Sequence, residues 1–193
     1  MLEQCANHIV DFLYRDVTLD KAKRPIYQYG IALTLSTAGS VVSILLLAVL
    51  LGNPLFGVIF LITFISLRLP GGGYHASTYR NCFLTTNGVF LVSFAISSIL
   101  LYAPTIIGIV VLFVSCIIIW VFAPITNPHH PVSNRTFRKN KLTVRGIVIA
   151  YTLLILFGEC FFSWYSLFSI YCASIAAVAA MMILEKILGR YKK

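Results

Sequence analysis

A chain of 193 residues that is 59% apolar and only 11% charged lies outside the range of soluble globular domains. Its formal net charge of +9, from fifteen Lys and Arg against six Asp and Glu, sits on an otherwise greasy sequence. That combination excludes a water-soluble enzyme and points to an integral membrane protein, with no nucleic-acid partner implied.

Residues 1–28 carry apolar side chains at Leu2, Cys5, Ala6, Ile9, Val10, Leu13 and Val17, with Glu3, Gln4, Asn7, Asp11 and Arg15 opposite. This spacing predicts an amphipathic helix, either lying in the membrane interface or packed on other protein. The first charge-free apolar run begins after Arg24 and is longer than a signal-peptide core, so the segment is expected to stay in the mature protein.

From Pro25 to Leu67 there is no charge, and the Gly52-Asn53-Pro54 cluster divides the run into spans at 29–51 and 54–67. The second holds 14 residues before Arg68. That is roughly 21 Å of helix against a hydrocarbon core of ~30 Å, which predicts that the glycine-rich stretch after it begins below the headgroups, in a recessed polar pocket. Further runs at 83–102, 105–122, 146–162 and 166–184 bring the expected spans to six, all helical. The fold class is thus all-α: a polytopic bundle over 29–184, with 1–28 at its face, a loop over 68–82 and a basic tail over 185–193. Ala173, Ser174, Ala176, Ala177, Ala179 and Ala180 mark the last span as one that packs closely on other helices.

Charge placement orients the bundle. Four Lys or Arg precede the first span, two lie between the second and third, five between the fourth and fifth, and four at the C-terminus, which accounts for all fifteen. By the positive-inside rule both termini and the 68–82 loop are expected on the cytoplasmic side.

That loop reads Arg-Leu-Pro-Gly-Gly-Gly-Tyr-His-Ala-Ser-Thr-Tyr-Arg-Asn-Cys, from Arg68 to Cys82. It alone brings together a thiol, an imidazole, two guanidiniums and three successive glycines. A thiol becomes a useful nucleophile when a base takes its proton or a positive field favours its anion. Cys82 has Arg80 two residues before it, His75 seven before it, and the start of a span around it. A straight helix would hold His75 and Cys82 roughly 10 Å apart, so His75 must fold back on a loop that Gly71, Gly72 and Gly73 permit. The third span then begins between the two, with Ser77, Thr78 or Asn81 as its N-cap. No carboxylate occurs between Asp20 and Glu159, and Glu159 is expected near the outer end, so the residues form a Cys/His dyad. A buried structural Cys with a backbone-bonded His is the competing account.

The order Arg, glycine run, aromatic, His, Ala, six residues, Cys, between two spans of a small basic protein, resembles the AgrB family of quorum-sensing membrane peptidases. Phe122-Ala-Pro-Ile-Thr-Asn-Pro-His-His-Pro131, followed by a basic run, is similar to the Ala-Pro and Pro signature that the family carries after its fourth span. The resemblance spans essentially the whole chain. It implies Cys82 as nucleophile and His75 as general base, with Arg68 and Gly73 at further motif positions. Gly72, Ser77, Arg80 and Asn81 stand around the dyad as supporting positions. It further implies a bacterial cytoplasmic membrane and an AgrD-like precursor peptide with an amphipathic helix, an internal Cys or Ser and an acidic tail. The tail would be cut through a Cys82 thioester and the peptide closed to a thiolactone or lactone, with a homodimer among the states to consider.

Arg138, Lys139 and Lys141, with Arg135 and Arg145, are candidates to hold that acidic tail, or simply to anchor the chain to anionic lipid. Neither the five irregularly spaced cysteines nor His129 and His130 form a metal-ligand pattern, and no cofactor is implied. The alternatives to a peptidase are a small transporter, against which the spans carry almost no charge and no inverted repeat is evident, and a non-catalytic scaffold.

Overall fold

The computed structural model describes residues 2–16, 24–72, 78–125 and 133–191. Within them the apolar runs become helices: α1 (Leu2–Asp16), α2 (Arg24–Leu50), α3 (Pro54–Gly71), α4 (Tyr79–Tyr102), α5 (Thr105–Phe122), α6 (Asn134–Phe162) and α7 (Tyr165–Tyr191). The last six are long and apolar enough to cross a membrane, so this is an all-α, multi-pass membrane protein.

Short turns separate the spans where the breaker residues stand. At Leu51-Gly52-Asn53 the Asn53 side chain accepts the Phe56 N–H at 3.0 Å, and Pro54 occupies the first helical position, where no N–H is needed. Ser163 takes a left-handed conformation to end α6 before α7.

Helix α7 is the centre of the bundle, packing on α3, α4, α5 and α6. Of its apolar window 72% is buried inside the protein, against 44% or less in every other span. Small side chains explain this: Ala173, Ser174, Ala177 and Ala179 are buried and let neighbouring backbones approach, while Tyr171, Ile175, Val178 and Met182 fill the gaps between helices. Sparse polar contacts tie the helices laterally. Ser43 of α2 donates to Asn87 of α4 at 2.8 Å, Ser97 of α4 and Ser169 of α7 share a bond at 3.3 Å, and Thr152 of α6 meets the Tyr171 hydroxyl at 3.2 Å.

The face of α3 turned to the core carries phenylalanines at every fourth position. Phe56 and Phe60 stack at 6.1 Å between centroids, Phe60 and Phe64 at 5.2 Å, and Phe90 of α4 packs edge-on to Phe60 at 5.3 Å. Arg68 continues the same i, i+4 column, its guanidinium over the Phe64 ring at 5.3 Å.

Helix α1 packs on the first turns of α2, burying Ala6 and Val10, and Asp11 forms a salt bridge with Arg24. Phe12 remains 65% exposed. The amphipathic helix expected from the sequence is therefore present, docked on protein along one stripe with an apolar side chain left outward.

Two boundaries differ from the sequence expectation. Helix α3 runs 18 residues to Gly71, through Arg68 and Pro70, because a proline in the last turn costs only one backbone bond. Its length is then ~27 Å, close to the hydrocarbon thickness, which removes the short-helix argument for a recessed loop. Helix α6 begins at Asn134, 12 residues before Gly146, where the apolar run starts. Ser133 caps it, accepting the Thr136 N–H at 3.2 Å. At 29 residues α6 is ~44 Å long, so its first turns stand beyond the apolar layer.

The aromatic column yields a direct test. Phe60→Ala is expected to lower stability in detergent by about 2–4 kcal/mol, because a fully buried ring leaves a cavity. Phe113→Ala, on a ring 54% exposed on α5, is expected to change it by less than ~0.5 kcal/mol. Equal thermal shifts in the two variants would contradict the packing described.

Candidate active site

Among the described residues, Arg68, Arg80, Cys82, Arg138, Lys139, Lys141 and Glu185 stand at one end of the bundle, where α3, α5 and α7 finish and α4 and α6 start. Helix α3 ends with the Gly72 N–H donating to the Arg68 carbonyl at 2.9 Å. The freed carbonyl of Gly71 accepts the Ile125 N–H at 2.9 Å, so the Ala123-Pro124-Ile125 segment after α5 is stitched to the end of α3. The peptide bond between Ala123 and Pro124 is cis.

The close approach explains two of the glycines. Gly72 has φ of +72°, and a Cβ there would run into the Ile125 carbonyl oxygen. At Gly71 a Cβ would stand 2.8 Å from the Met182 Cε of α7 and 3.5 Å from Val144 of α6. Four elements thus converge on two residues.

Helix α4 opens on Thr78, whose side chain accepts the Asn81 N–H at 3.2 Å; of the three N-cap candidates it is the one used. Cys82 lies in the first turn, its N–H donating to the Thr78 carbonyl at 3.0 Å, and its carbonyl accepts the Thr86 hydroxyl at 2.8 Å. The thiol is half-buried and not in a disulfide, while Arg80 and Asn81 are exposed beside it. A helix N-terminus presents free N–H groups and partial positive charge, a setting suited to an anionic species.

Arg68, on the last full turn of α3, is near enough to both Cys82 and the Glu185 carboxylate of α7 for their charges to interact. Gly73, His75 and Ser77 lie outside the described residues. The remaining predicted positions are on α6: Arg138 and Lys139 are exposed and Lys141 half-buried on its first two turns. One turn on, Arg145 lies over Trp120 at 4.2 Å and donates to its carbonyl at 3.4 Å, which pins the start of α6 to the end of α5.

Glu159 lies in the last turn of α6, at the opposite end from Cys82. The carboxylate that does approach the site is Glu185, which a search confined to residues near the motif misses. A usable signal was present: once the topology is drawn, the C-terminal part of the last span falls at the same end as Cys82. An open depression lined by Phe122, Ile183, Lys186 and Ile187 lies on this end of α5 and α7.

A family model described as Accessory gene regulator B matches residues 6–185. Among curated proteins, an AgrB-like protein 2 of Clostridium perfringens (strain 13 / Type A) is 27% identical over 154 residues, covering 76% of this chain and 70% of the relative. A second AgrB-like protein, of Clostridium perfringens (strain SM101 / Type A), is 26% identical over the same extent. No solved structure matches.

The contact at Gly72 generates a prediction. Gly72→Ala is expected to cost about 1–3 kcal/mol, since the new side chain combines an unfavourable φ with a clash against backbone that cannot rotate away. Thermal unfolding in detergent measures it. Gly146→Ala, at a helical glycine with open space around its Cβ position, is the control and should be neutral or slightly stabilising.

Proposed function

Because this chain belongs to the accessory gene regulator B family, whose members take part in agr quorum sensing, we propose that it is a membrane cysteine endopeptidase acting on an AgrD-like precursor peptide. The observation that carries the reading is the placement of Cys82 in the first turn of α4, half-buried, with Arg68 near enough for their charges to interact, at the end of the bundle where Arg80 and the first turns of α6 also stand.

In this reading His75 takes the proton from the Cys82 thiol, and the sulfur attacks the carbonyl carbon at the precursor's cleavage point. Positive charge from Arg68 and the α4 N-terminus balances the negative charge that passes from sulfur to the carbonyl oxygen. The C–N bond breaks, the departing tail takes the proton from His75, and the remaining peptide is left as a thioester on Cys82. An internal thiol of the peptide then attacks that thioester. One S–C bond replaces another, the Cys82 thiol is restored, and a thiolactone leaves. Exchange between thioesters keeps the energy of the acyl bond, whereas water would discharge it, so the second step needs a site that favours the peptide thiol.

The acidic tail meets Arg138, Lys139 and Lys141, which α6 presents as a rigid extension on the same end as Cys82. The site and both termini face the cytoplasm, the side on which a newly made peptide arrives, and lipid surrounds the spans.

Purified protein in liposomes with a precursor peptide tests the chemistry. Cys82→Ala, Cys82→Ser and His75→Ala are each expected to abolish cleavage with membrane insertion unchanged, because neither residue of a dyad works alone. Glu159→Gln is expected to retain most activity, being at the far end. Wild-type rates in Cys82→Ala would remove the nucleophile assignment. The orientation is tested separately. Cysteines introduced near Arg138 should label only from the cytoplasm, and ones near Asn53 or Ala103 only from outside. Labelling of position 138 from outside would invert the topology.

A further inference from the structure

Helix α3 ends and α4 begins at one level, but the helices on either side run past it. A Cβ on Gly57 of α3 would meet the Ala48 Cβ of the antiparallel α2, and counting on from that pair puts Gly71 level with Thr34. Ser43 of α2 bonds to Asn87 of the parallel α4, which puts Tyr79, the first residue of α4, level with Leu35. The two registers are independent and agree. On the other flank, a Cβ on Gly71 would stand 3.5 Å from Val144 of α6. Residues 24–33 of α2 and 134–143 of α6 therefore overhang the end of α3, each by roughly 15 Å. Helix α3 packs on both α2 and α6, so the overhangs flank the end of α3 and the start of α4, where Cys82 lies in the first turn.

The two overhangs differ in chemistry. One face of α2 carries Ile26, Tyr29, Leu33, Ser36, Ser40 and Ile44 at helical spacing. From Ser36 onward it is buried against the bundle, whereas Ile26 is 69%, Tyr29 55% and Leu33 42% exposed. The change falls where α3 and α4 stop, so the exposed part of the stripe looks over the site. Helix α1 leaves it bare, because its contacts, Asp11 with Arg24 and Tyr14 with Tyr27, fall on the far side of α2. The facing stripe of α6 descends from buried Val148 and Val144 to half-buried Lys141 and Phe137, with Arg138 and Lys139 exposed beside them. One wall is apolar and uncharged, and the other is cationic.

We propose that Ile26, Tyr29 and Leu33 form a docking wall for an apolar helical segment of the peptide substrate, whose acidic part crosses to the α6 wall. The inference rests on the peptidase reading and adds the partner's apolar half to that same site. Residues at i, i+3 and i+7 are the spacing by which one helix seats another. Charge selects this occupant: a second copy of so basic a chain would set one cationic wall against another, and lipid meets α2 on its outward faces, such as exposed Val42. A ligand that is apolar in one part and acidic in another satisfies both walls, and its chain between them passes the start of α4. The bond to be cut then lies between the walls, so α2 keeps the acyl part while the tail leaves from α6.

The test uses the full chain carrying Cys82→Ala in nanodiscs of neutral phosphatidylcholine, so that binding is read without turnover. The probe is a synthetic peptide with leucines at helical spacing followed by a glutamate-rich tail, and the tail alone is its comparison. With the photo-crosslinker benzoylphenylalanine at position 26 or 33, the peptide is expected to be captured through its leucine segment. At position 42 only lipid is expected. Ile26→Asp should weaken binding of the full peptide roughly tenfold, the scale of one apolar side chain withdrawn from water, and leave binding of the tail alone unchanged. Ile26→Leu should bind as the wild-type residue does, and Lys141→Gln should weaken binding of both probes.

Capture of lipid, of this chain itself or of a second copy at positions 26 and 33 in place of the peptide overturns the proposal. Equal affinity with Ile26 and with Ile26→Asp overturns it as well. Peptide captured at position 26 of a protein whose Cys82 form never cleaves a precursor refutes the peptidase reading and leaves the docking wall standing. Precursor cleavage with an unchanged KM in Ile26→Asp refutes the docking wall alone.

Discussion

Everything at the candidate site depends on how closely three helices and a connecting segment can approach at Gly71 and Gly72. The end of α3 has no room for a side chain against Met182 of α7 and the Ile125 backbone. The hydrogen bond from the Ile125 N–H to the Gly71 carbonyl turns that proximity into a fixed junction.

The junction is supported from within the apolar layer by the column of Phe56, Phe60 and Phe64, which ends under the Arg68 guanidinium. The same i, i+4 repeat that buries three rings places the cation at the polar boundary. Helix α7 fills the centre because its buried face is largely Ala and Ser, and in lipid close packing substitutes for a hydrophobic driving force. Site and bundle are therefore one construction. The proposed chemistry needs a thiol, a base and balancing charge held together, and the helices supply the thiol and the charge from rigid ends.

Much of this was legible in the sequence. Six apolar runs separated by Gly, Asn and Pro became six helices long and apolar enough to cross a membrane. Thr78 was among the N-cap candidates because short hydroxyl side chains satisfy the free N–H groups of a first turn. The start of α6 was harder to see, since Arg135 to Arg145 lack an apolar run and a charged helix resembles a loop by hydropathy. The charge at Arg68 marks the end of the second span by hydropathy, although the helix runs on through Pro70 to Gly71. Glu185 escaped notice for a different reason: it lies 103 positions beyond Cys82, and only the packing of α7 on α3 brings their ends together. Local spacing carries information about helices and caps, but not about which distant helix packs beside them.

The central position of α7 also bears on the order of biosynthesis. A ribosome makes α3 and α4, with the glycine run and Cys82 between and within them, well before α7 emerges. Until then the faces of α3, α4, α5 and α6 that α7 covers lack their partner, and Gly71 has no Met182 beside it. The nascent protein consequently holds Cys82 before it holds the helix at the centre of the bundle. The packing around the end of α3 is therefore complete only once the last span is in place.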